Sequence, residues 1–398
     1  MVPSSSAIPA RLLADRVATL APVQPAVLGA RRLGSGSVVA VAMSGGVDSS
    51  VAAVLAVAAG LETVGVTMRL WGTEEVERGE GGCCSIDAVE DARRVCSRLG
   101  IPHYVLNLAE QFRDVVVGDF LRRYAEGLTP NPCIRCNERV KFSELLRRVM
   151  SLGATHIASG HYARVEEDAE GGFSLRRGLD RRKDQSYSLY RNGAVLPRLL
   201  LPLGLLEKPM VRQLAQGLGL AVAHKPDSQE LCFVGGRDHR ELLAERLQGQ
   251  FAPGPILSLG GEELGRHRGV PFYTVGQRQG LGLAARRADS EPHYVVRVDP
   301  ARNIVFVGPW RALLRGSCSV SGCVYLPGPP GPRSGRAQLR AHGQAVPASW
   351  RPESDASALV SFADPQAGIA PGQSLVVYDG DRVVAGGEIV ADKEVEFP

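Results

Sequence analysis

Two groups of residues in this chain have the types and spacing to do chemistry. The first is Ser44-Gly45-Gly46-Val47-Asp48-Ser49-Ser50, between an apolar run and a second apolar segment that ends at Gly60. Glycines let a backbone approach an anion closely, and N–H groups at the start of a helix favour negative charge. A phosphate cradle is the chemistry this stretch offers; the plainer alternative is a strand-to-helix turn capped by Ser44 or Asp48. The second group is cysteine. Thr129 to Phe142 reads TPNPCIRCNERVKF, with Cys133 and Cys136 as a CxxC, and Asp227 to Gly235 reads DSQELCFVG around Cys232. A CxxC serves as a redox pair, as metal ligands, or as two small buried hydrophobes. Arg135, Arg139 and Lys141 flank this one and favour thiolates, and its two prolines predict a rigid, extended loop.

The elements that position these residues follow from period and punctuation. Val38 to Met43 is long enough for a buried parallel strand, and the segment after the glycines predicts a helix capped at Gly60. Glu62 to Leu70 reads as a strand and Trp71 to Cys84 as a loop. Ser85 can cap a helix from Ile86 to Leu99, and His103 to Leu108 is strand-like. Helical patterns cover Ala109 to Leu128 and Phe142 to Leu152, before another strand at Ala154 to Ser159. Such alternation predicts an α/β fold with a doubly wound parallel sheet whose ligands lie outside the carboxyl ends of the strands. The character changes near Lys225. Phe251 to Leu283 is Gly-rich with short strands, and β-type runs begin at His293, including a hairpin at Leu375 to Val384. The expected organisation is an unstructured extension over 1–36, a catalytic domain over 37–226, a small central domain over 227–292 and a C-terminal β-barrel over 293–398.

Composition sets the limits. At 398 residues the chain exceeds one ordinary core. The net charge of +4 allows a polyanionic partner without demanding one. Arginine outnumbers lysine 41 to 5, which a GC-rich genome explains. No apolar run reaches the roughly 20 residues of a membrane span. Eight cysteines in a chain this long do not form a disulfide framework, so the expected compartment is the cytosol.

The dinucleotide fingerprint GxGxxG and the Walker pattern are both missing around Ser44. SGGxDS instead resembles the PP-loop of ATP pyrophosphatases, whose fold is adenine nucleotide alpha hydrolase-like. That resemblance implies that ATP is split between its α and β phosphates, and that Asp48 holds Mg²⁺ beside the pyrophosphate. Further blocks sharpen it: AMSGGVDSS, TPNPCIRCNERVKF, ASGHYAR from Ala158, KDQSY from Lys183, KPDSQELCFVG from Lys225, FYTVGQRQGLGL from Phe272 and PGQSLVVY from Pro371. With these the chain resembles the tRNA-specific 2-thiouridylases of the MnmA type, from about Val38 to its end.

The resemblance implies thiolation of carbon 2 of the wobble uridine in tRNAs for Lys, Glu and Gln. Cys232 matches the cysteine that carries a persulfide, and Cys136 the partner that frees the sulfur and closes a disulfide with it. Ala42, Met43, Ser44, Gly45, Gly46, Val47, Asp48 and Ser49 would line ATP, with Met68 and Gly160 near the nucleotide. Asn131, Pro132 and Cys133 would meet the target base. His161, Lys183, Asp184, Gln185, Arg340, Ala341 and Gln373 would contact tRNA. A cysteine desulfurase or sulfur-relay protein would load Cys232. Cys83, Cys84 and Cys96 have no firm counterpart in the family and read as structural, and Cys318 and Cys323, in β-type sequence, read the same way. A second arrangement stays open: Cys133, Cys136 and Cys232 holding a [4Fe–4S] cluster with one open iron. Two other functions are open as well. One is a PP-loop enzyme that adenylates a small-molecule carbonyl, which would not need the Cys136/Cys232 pair. The other is an inactive RNA-binding relative, which would not need an intact Ser44–Ser50 loop.

Overall fold

Val38–Ala42 (β1) is apolar throughout because it runs through the middle of a parallel sheet, where both faces are covered. The computed structural model describes residues 7–20, 33–34, 36–71, 86–169, 171–227, 231–234, 237–283, 291–326 and 328–391. The expected loop from Gly72 to Cys84, the Ser85 cap, Cys83 and Cys84 lie outside these residues, as do Ser228 and Gly235. The chain divides into two units. The first comprises Met1–Val116, Cys133–Gly236 and Asp381–Val383, and the second Val117–Pro132, Arg237–Gly380 and Val384–Pro398.

In the first unit β1 lies between β2 (Glu62–Arg69) and β4 (His156–Ala158). Beyond β2 lies β3 (His103–Asn107), and beyond β4 lies β7 (Leu199–Leu200). All four pairings are parallel, with Ala40 opposite Val64 on one side and Ile157 on the other. An antiparallel hairpin of β5 (Ala163–Glu167) and β6 (Phe173–Arg177) follows β4. Helix α2 (Val47–Ala58) leaves the carboxyl end of β1 and is buried along nearly its whole length, which explains its lack of a polar face. Ile86–Leu99 (α3) and Lys208–Gly217 (α4) are amphipathic and pack on the sheet layer with their apolar faces.

Two stretches differ from expectation. Within the extension expected over 1–36, Ala10–Leu20 form helix α1, which packs on α2 and α4. Leu13 and Val17 stand four apart, on one face, and are 0% and 7% exposed in the same core as α2. The prolines of TPNPC predict a loop, but only Thr129, Pro130 and Asn131 of the motif are non-helical. Pro132 starts a helical turn (Pro132–Arg135) that continues as a π-helical stretch (Cys136–Glu144) and an α-helix (Leu145–Ser151). Proline is well tolerated at a first helical position because the N–H it lacks would have no partner there.

The second unit is largely β. Gly254–Ser258 (β8), Glu263–His267 (β9), Tyr294–Asp299 (β10) and Ile304–Gly308 (β11) form a sheet in the order β10-β11-β8-β9. The strands predicted to open the C-terminal barrel, β10 and β11, therefore belong with the central segment, since Val305 pairs with Ile256. The barrel itself is β12 (Arg315–Tyr325), β13 (Arg333–Gln338), β14 (Val346–Pro352), β15 (Ser357–Gln366), β16 (Ser374–Asp379) and β17 (Arg382–Ile389). Its order is β12-β15-β14-β13-β16-β17, and it closes where Val320 of β12 meets Ile389 of β17. Its core is built on Trp350, 1% exposed, with Val360, Leu375 and Val377. Among the described residues no helix is long and apolar enough to cross a membrane.

Candidate functional site

The Ser44–Ser50 loop sits where the sheet topology predicts, at the carboxyl end of the central strand. Gly45 has φ +69°, and a Cβ there would fall 2.2 Å from the Ala88 carbonyl oxygen, so only glycine fits. Gly46 is the N-cap of α2, and its carbonyl accepts from the hydroxyls of Ser49 (3.2 Å) and Ser50 (2.8 Å). The Ser44 amide donates to Ser49 Oγ at 3.1 Å, which draws the loop closed on itself. Ala42 and Met43 bring the chain into the loop, and Met43 and Val47 are buried beneath it. Met68 is half-buried near the carboxyl end of β2. Gly160, just past β4, lies so close that a Cβ would meet the Asp48 carbonyl carbon and the Ser49 nitrogen at 2.7 Å.

A dense charge cluster backs this loop. Both oxygens of Asp48 accept from Lys208 Nζ, at 2.7 and 2.8 Å, and Oδ1 also accepts from the Tyr162 hydroxyl at 2.7 Å. Asp227, from the KPDSQ block, receives Lys183 Nζ at 2.7 Å, Lys208 Nζ at 2.8 Å and Arg212 at 2.7 Å. Burial pushes the Asp227 carboxyl up, but hydrogen bonds from Lys183 and Lys208 and their charges outweigh it and hold it at about 2. Burial, then the charge of Asp48, pushes the Tyr162 phenol well up, so it stays a donor. Lys225 pairs with Asp91, and its ammonium donates to the Gly45 carbonyl at 3.3 Å. Sequence reasoning missed Tyr162, Lys208, Arg212 and Asp227. A compositional signal was available for the lysines: in a chain with 41 arginines and 5 lysines, Lys183, Lys208 and Lys225 all come to this cluster.

The cysteines lie in the same unit. Cys136 opens the π-helical stretch and is 5% exposed, Cys133 one turn earlier is exposed, and Cys232 is half-buried. Beside Cys232, Phe233 meets Phe112 edge-on at 6.1 Å, and Phe112 meets Trp71 at 5.4 Å. The short helix Ala109–Phe112 also packs against the Cys136–Glu144 stretch, so both cysteine segments abut one element. From the same stretch Phe142 packs on His161 at 5.4 Å, next to Gly160 and the loop. Among the described residues no three Cys, His, Asp or Glu side chains gather as a metal-ligand set. Burial pushes the Cys96 thiol up to about 12, as suits a core residue. Cys318 and Cys323 pack against the barrel core.

The residues expected to contact tRNA differ in what they offer. Lys183 is engaged with Asp227. The Asp184 side chain is 4% exposed and accepts from Arg177 (2.8 Å), the Gly178 amide (3.0 Å) and the Ser186 amide (3.1 Å), so it holds its turn together. Gln185 is exposed, and its Oε1 accepts from the Tyr162 amide at 3.0 Å. The His161 imidazole is hydrogen-bonded to the Ser159 hydroxyl, and burial followed by the charge of Lys141 pushes it down to about 3. It is neutral at physiological pH. In the second unit Gln373 Nε2 donates to the Thr129 carbonyl and the Thr129 amide to the Pro371 carbonyl, both at 2.8 Å. Gln373 thus ties down the approach to Asn131 and Pro132. Arg340 is exposed on the barrel, where Gln338 Nε2 donates to its carbonyl (3.1 Å) and to that of Ala341 (2.9 Å).

Three family models match consecutive stretches. They are described as a tRNA methyl transferase HUP domain (residues 37–236), a tRNA methyl transferase PRC-barrel domain (240–309) and an aminomethyltransferase beta-barrel domain (317–389). Helix α1 precedes all three. The chain is 47% identical over 366 residues to the tRNA-specific 2-thiouridylase MnmA of Heliobacterium modesticaldum, covering 90% of this chain and 94% of that one. It is 46% identical over 372 residues to the MnmA of a Roseiflexus species, covering 88% and 99%. Among solved structures, the U34-tRNA thiolase NcsA from Methanococcus maripaludis with its [4Fe-4S] cluster aligns at a TM-score of 0.32 and 18% identity. That alignment covers 60% of this chain and 73% of that one, a likeness too weak to bear on ligands. The model descriptions name methyl transfer and the relatives thiolation. With close to half its residues identical across nine-tenths of its length, the chain belongs to the family of MnmA tRNA-specific 2-thiouridylases.

Proposed function

We propose that the protein replaces oxygen 2 of the wobble uridine of tRNA with sulfur in two steps, adenylation of the base and attack by a cysteine persulfide. The observation that carries this reading is the presence, in one unit, of the Ser44–Ser50 cradle with its cationic backing and of Cys136 and Cys232 on segments that abut one helix.

Ser44, Gly45, Gly46, Val47 and Ser49 hold the phosphates of ATP on backbone N–H groups and the end of α2, with Ala42, Met43, Met68 and Gly160 around the nucleotide. A single carboxylate beside substrate phosphates is the usual protein contribution to a Mg²⁺ site, and Asp48 fits it. When bound there, Mg²⁺ neutralises phosphate charge. Adenylation turns the uracil oxygen into a leaving group. The persulfide on Cys232 attacks carbon 2 and AMP departs. The Cys136 thiolate then attacks Cys232 Sγ, breaking the S–S bond, so the sulfur stays on the base and a Cys136–Cys232 disulfide forms. A thiol reductant reopens it. No step is assigned to an iron–sulfur cluster.

Asn131, Pro132 and Cys133 meet the flipped base. Lys183, Gln185, Arg340 and Ala341 contact tRNA. Asp184, Gln373 and the neutral His161 act through the segments they hold rather than through charge. The tRNAs are those for Lys, Glu and Gln, the sulfur comes from a cysteine desulfurase or relay protein, and the reaction runs in the cytoplasm. The test is pyrophosphate release and nucleoside mass spectrometry with ATP, Mg²⁺, tRNA and a persulfide donor. Asp48→Ala should end both pyrophosphate release and 2-thiouridine formation while leaving the circular dichroism spectrum unchanged. Pyrophosphate release at the wild-type rate by the folded variant would remove Asp48 from the reaction.

A further inference from the structure

Lys208 has no part in the steps above, yet its ammonium lies 2.7 Å from the carboxylate at the phosphate cradle. We propose that Lys208 is a further catalytic residue, whose ammonium passes from Asp48 to the phosphate of ATP at which the α–β bond breaks, and that Asp227 positions it there. This rests on the reading that the Ser44–Ser50 loop binds ATP.

Four observations carry the proposal. First, Lys208 is 9% exposed in its side chain, and its three donors are matched to three oxygens, two of Asp48 and one of Asp227. A buried ammonium is costly without a partner, but one carboxylate would serve for stability alone. The second lets Nζ leave Asp48 without being stranded. Second, Asp48 lies in the first turn of α2, so Nζ at 2.7 Å from it is within one carboxylate of the anion site. A cation brought to Asp48 with ATP would repel an ammonium at that distance, and the arriving phosphate offers it a new partner. Third, the anchoring is stiff. The Lys208 amide donates to Asp180 Oδ2 at 3.0 Å, Pro209 follows it at the start of α4, and Asp227 is itself gripped by Lys183 and Arg212. Fourth, the residue is lysine in a chain that uses arginine 41 times and lysine 5 times. A compact ammonium can exchange one oxygen partner for another, whereas the planar guanidinium fork cannot occupy the same three-oxygen nest.

In the step concerned, uracil oxygen 2 bonds to the α-phosphorus and the bond from that phosphorus to the bridging oxygen breaks. The electron pair leaves with pyrophosphate, and the proton on uracil N3 passes to solvent. Lys208 exchanges no proton in this step and contributes only donors to the charge that develops on the phosphates.

The test uses the full-length chain and the variants Lys208→Met, Lys208→Arg and Asp227→Asn. Pyrophosphate release is measured with ATP, Mg²⁺ and tRNA, and binding of α,β-methylene-ATP and of adenosine by calorimetry in the presence of Mg²⁺. Lys208→Met should lower kcat about 10²- to 10³-fold with the KM for tRNA unchanged. It should also weaken α,β-methylene-ATP binding about ten-fold or more and leave adenosine binding as it is. Lys208→Arg should restore neither, and Asp227→Asn should lower kcat while leaving adenosine binding intact. A purely structural Lys208 would move both ligands together or neither. If Lys208→Met does not fold, Lys208→Arg decides, and a wild-type rate from it overturns the proposal. Rates within two-fold of wild type in the folded Met variant overturn it too. If the wild-type enzyme itself releases no pyrophosphate, the ATP reading has failed instead.

Discussion

Gly160→Ala isolates the contact between the end of β4 and the phosphate cradle. Gly160 is absent from the residues with positive φ, so alanine meets no backbone strain and acts only through its added carbon. That carbon would lie 2.7 Å from the Asp48 carbonyl carbon and the Ser49 nitrogen and 3.0 Å from the Asp48 oxygen. Ordinary contact begins near 3.4 Å, so the strand end and the first turn of α2 must part by about 0.7 Å. The atoms struck are backbone, and Ser49 through Val57 behind them are buried, so no side chain can swing aside. Overpacking of this kind costs about 1–3 kcal/mol, which lowers the melting temperature of a domain this size by about 2–10 °C. A cradle displaced by close to an ångström loses up to about 10²-fold in rate. The expected result is ATP affinity and pyrophosphate release reduced about 10- to 100-fold, measured by calorimetric titration and a coupled pyrophosphate assay. A variant with wild-type melting temperature and ATP affinity would refute the packing argument.

Cys136→Ser and Cys232→Ser should each end thiolation while still releasing pyrophosphate, and Cys133→Ser should retain measurable thiolation, read by nucleoside mass spectrometry. If anaerobic protein carries about four irons and stripping them stops turnover with a persulfide supplied, a cluster reading replaces the cysteine pair. Asp227 is held at about 2 against an ordinary 3.8, so its stabilising contribution is full above pH 4 and lost as pH falls through 3.8 toward 2. That difference is worth about 2 kcal/mol at neutral pH. Asp227→Asn should cost about that much in urea unfolding at pH 7 and much less near pH 2.5; an equal cost at both would contradict the pairing. Leu13→Ala should destabilise the first unit by about 2–4 kcal/mol, because Leu13 is fully buried in its core. An unchanged melting curve would mean that α1 does not pack there in solution.

Much was legible in the residues themselves. A six-residue apolar run, two glycines and an apolar segment ending at Gly60 determine β1, the cradle and α2, because each piece is local and each has its own steric or periodic signature. The parallel sheet follows from alternation, and the barrel from short β runs with turns. The cysteine motifs and family blocks named the chemistry. Three things were decided only by the folded chain. Pro132 begins a helix rather than extending a loop, because Ile134, Val140 and Phe142 gain burial by continuing it. Helix α1 forms because Leu13 and Val17 find a core on α2 and α4, which its own sequence does not announce. Asp48, Tyr162, Lys208 and Asp227 meet because the strand order β3-β2-β1-β4-β7 brings distant chain segments to the carboxyl ends of neighbouring strands. Charged residues so far apart in the chain carry no period or local pattern, and only the burial of their shared ions makes them partners.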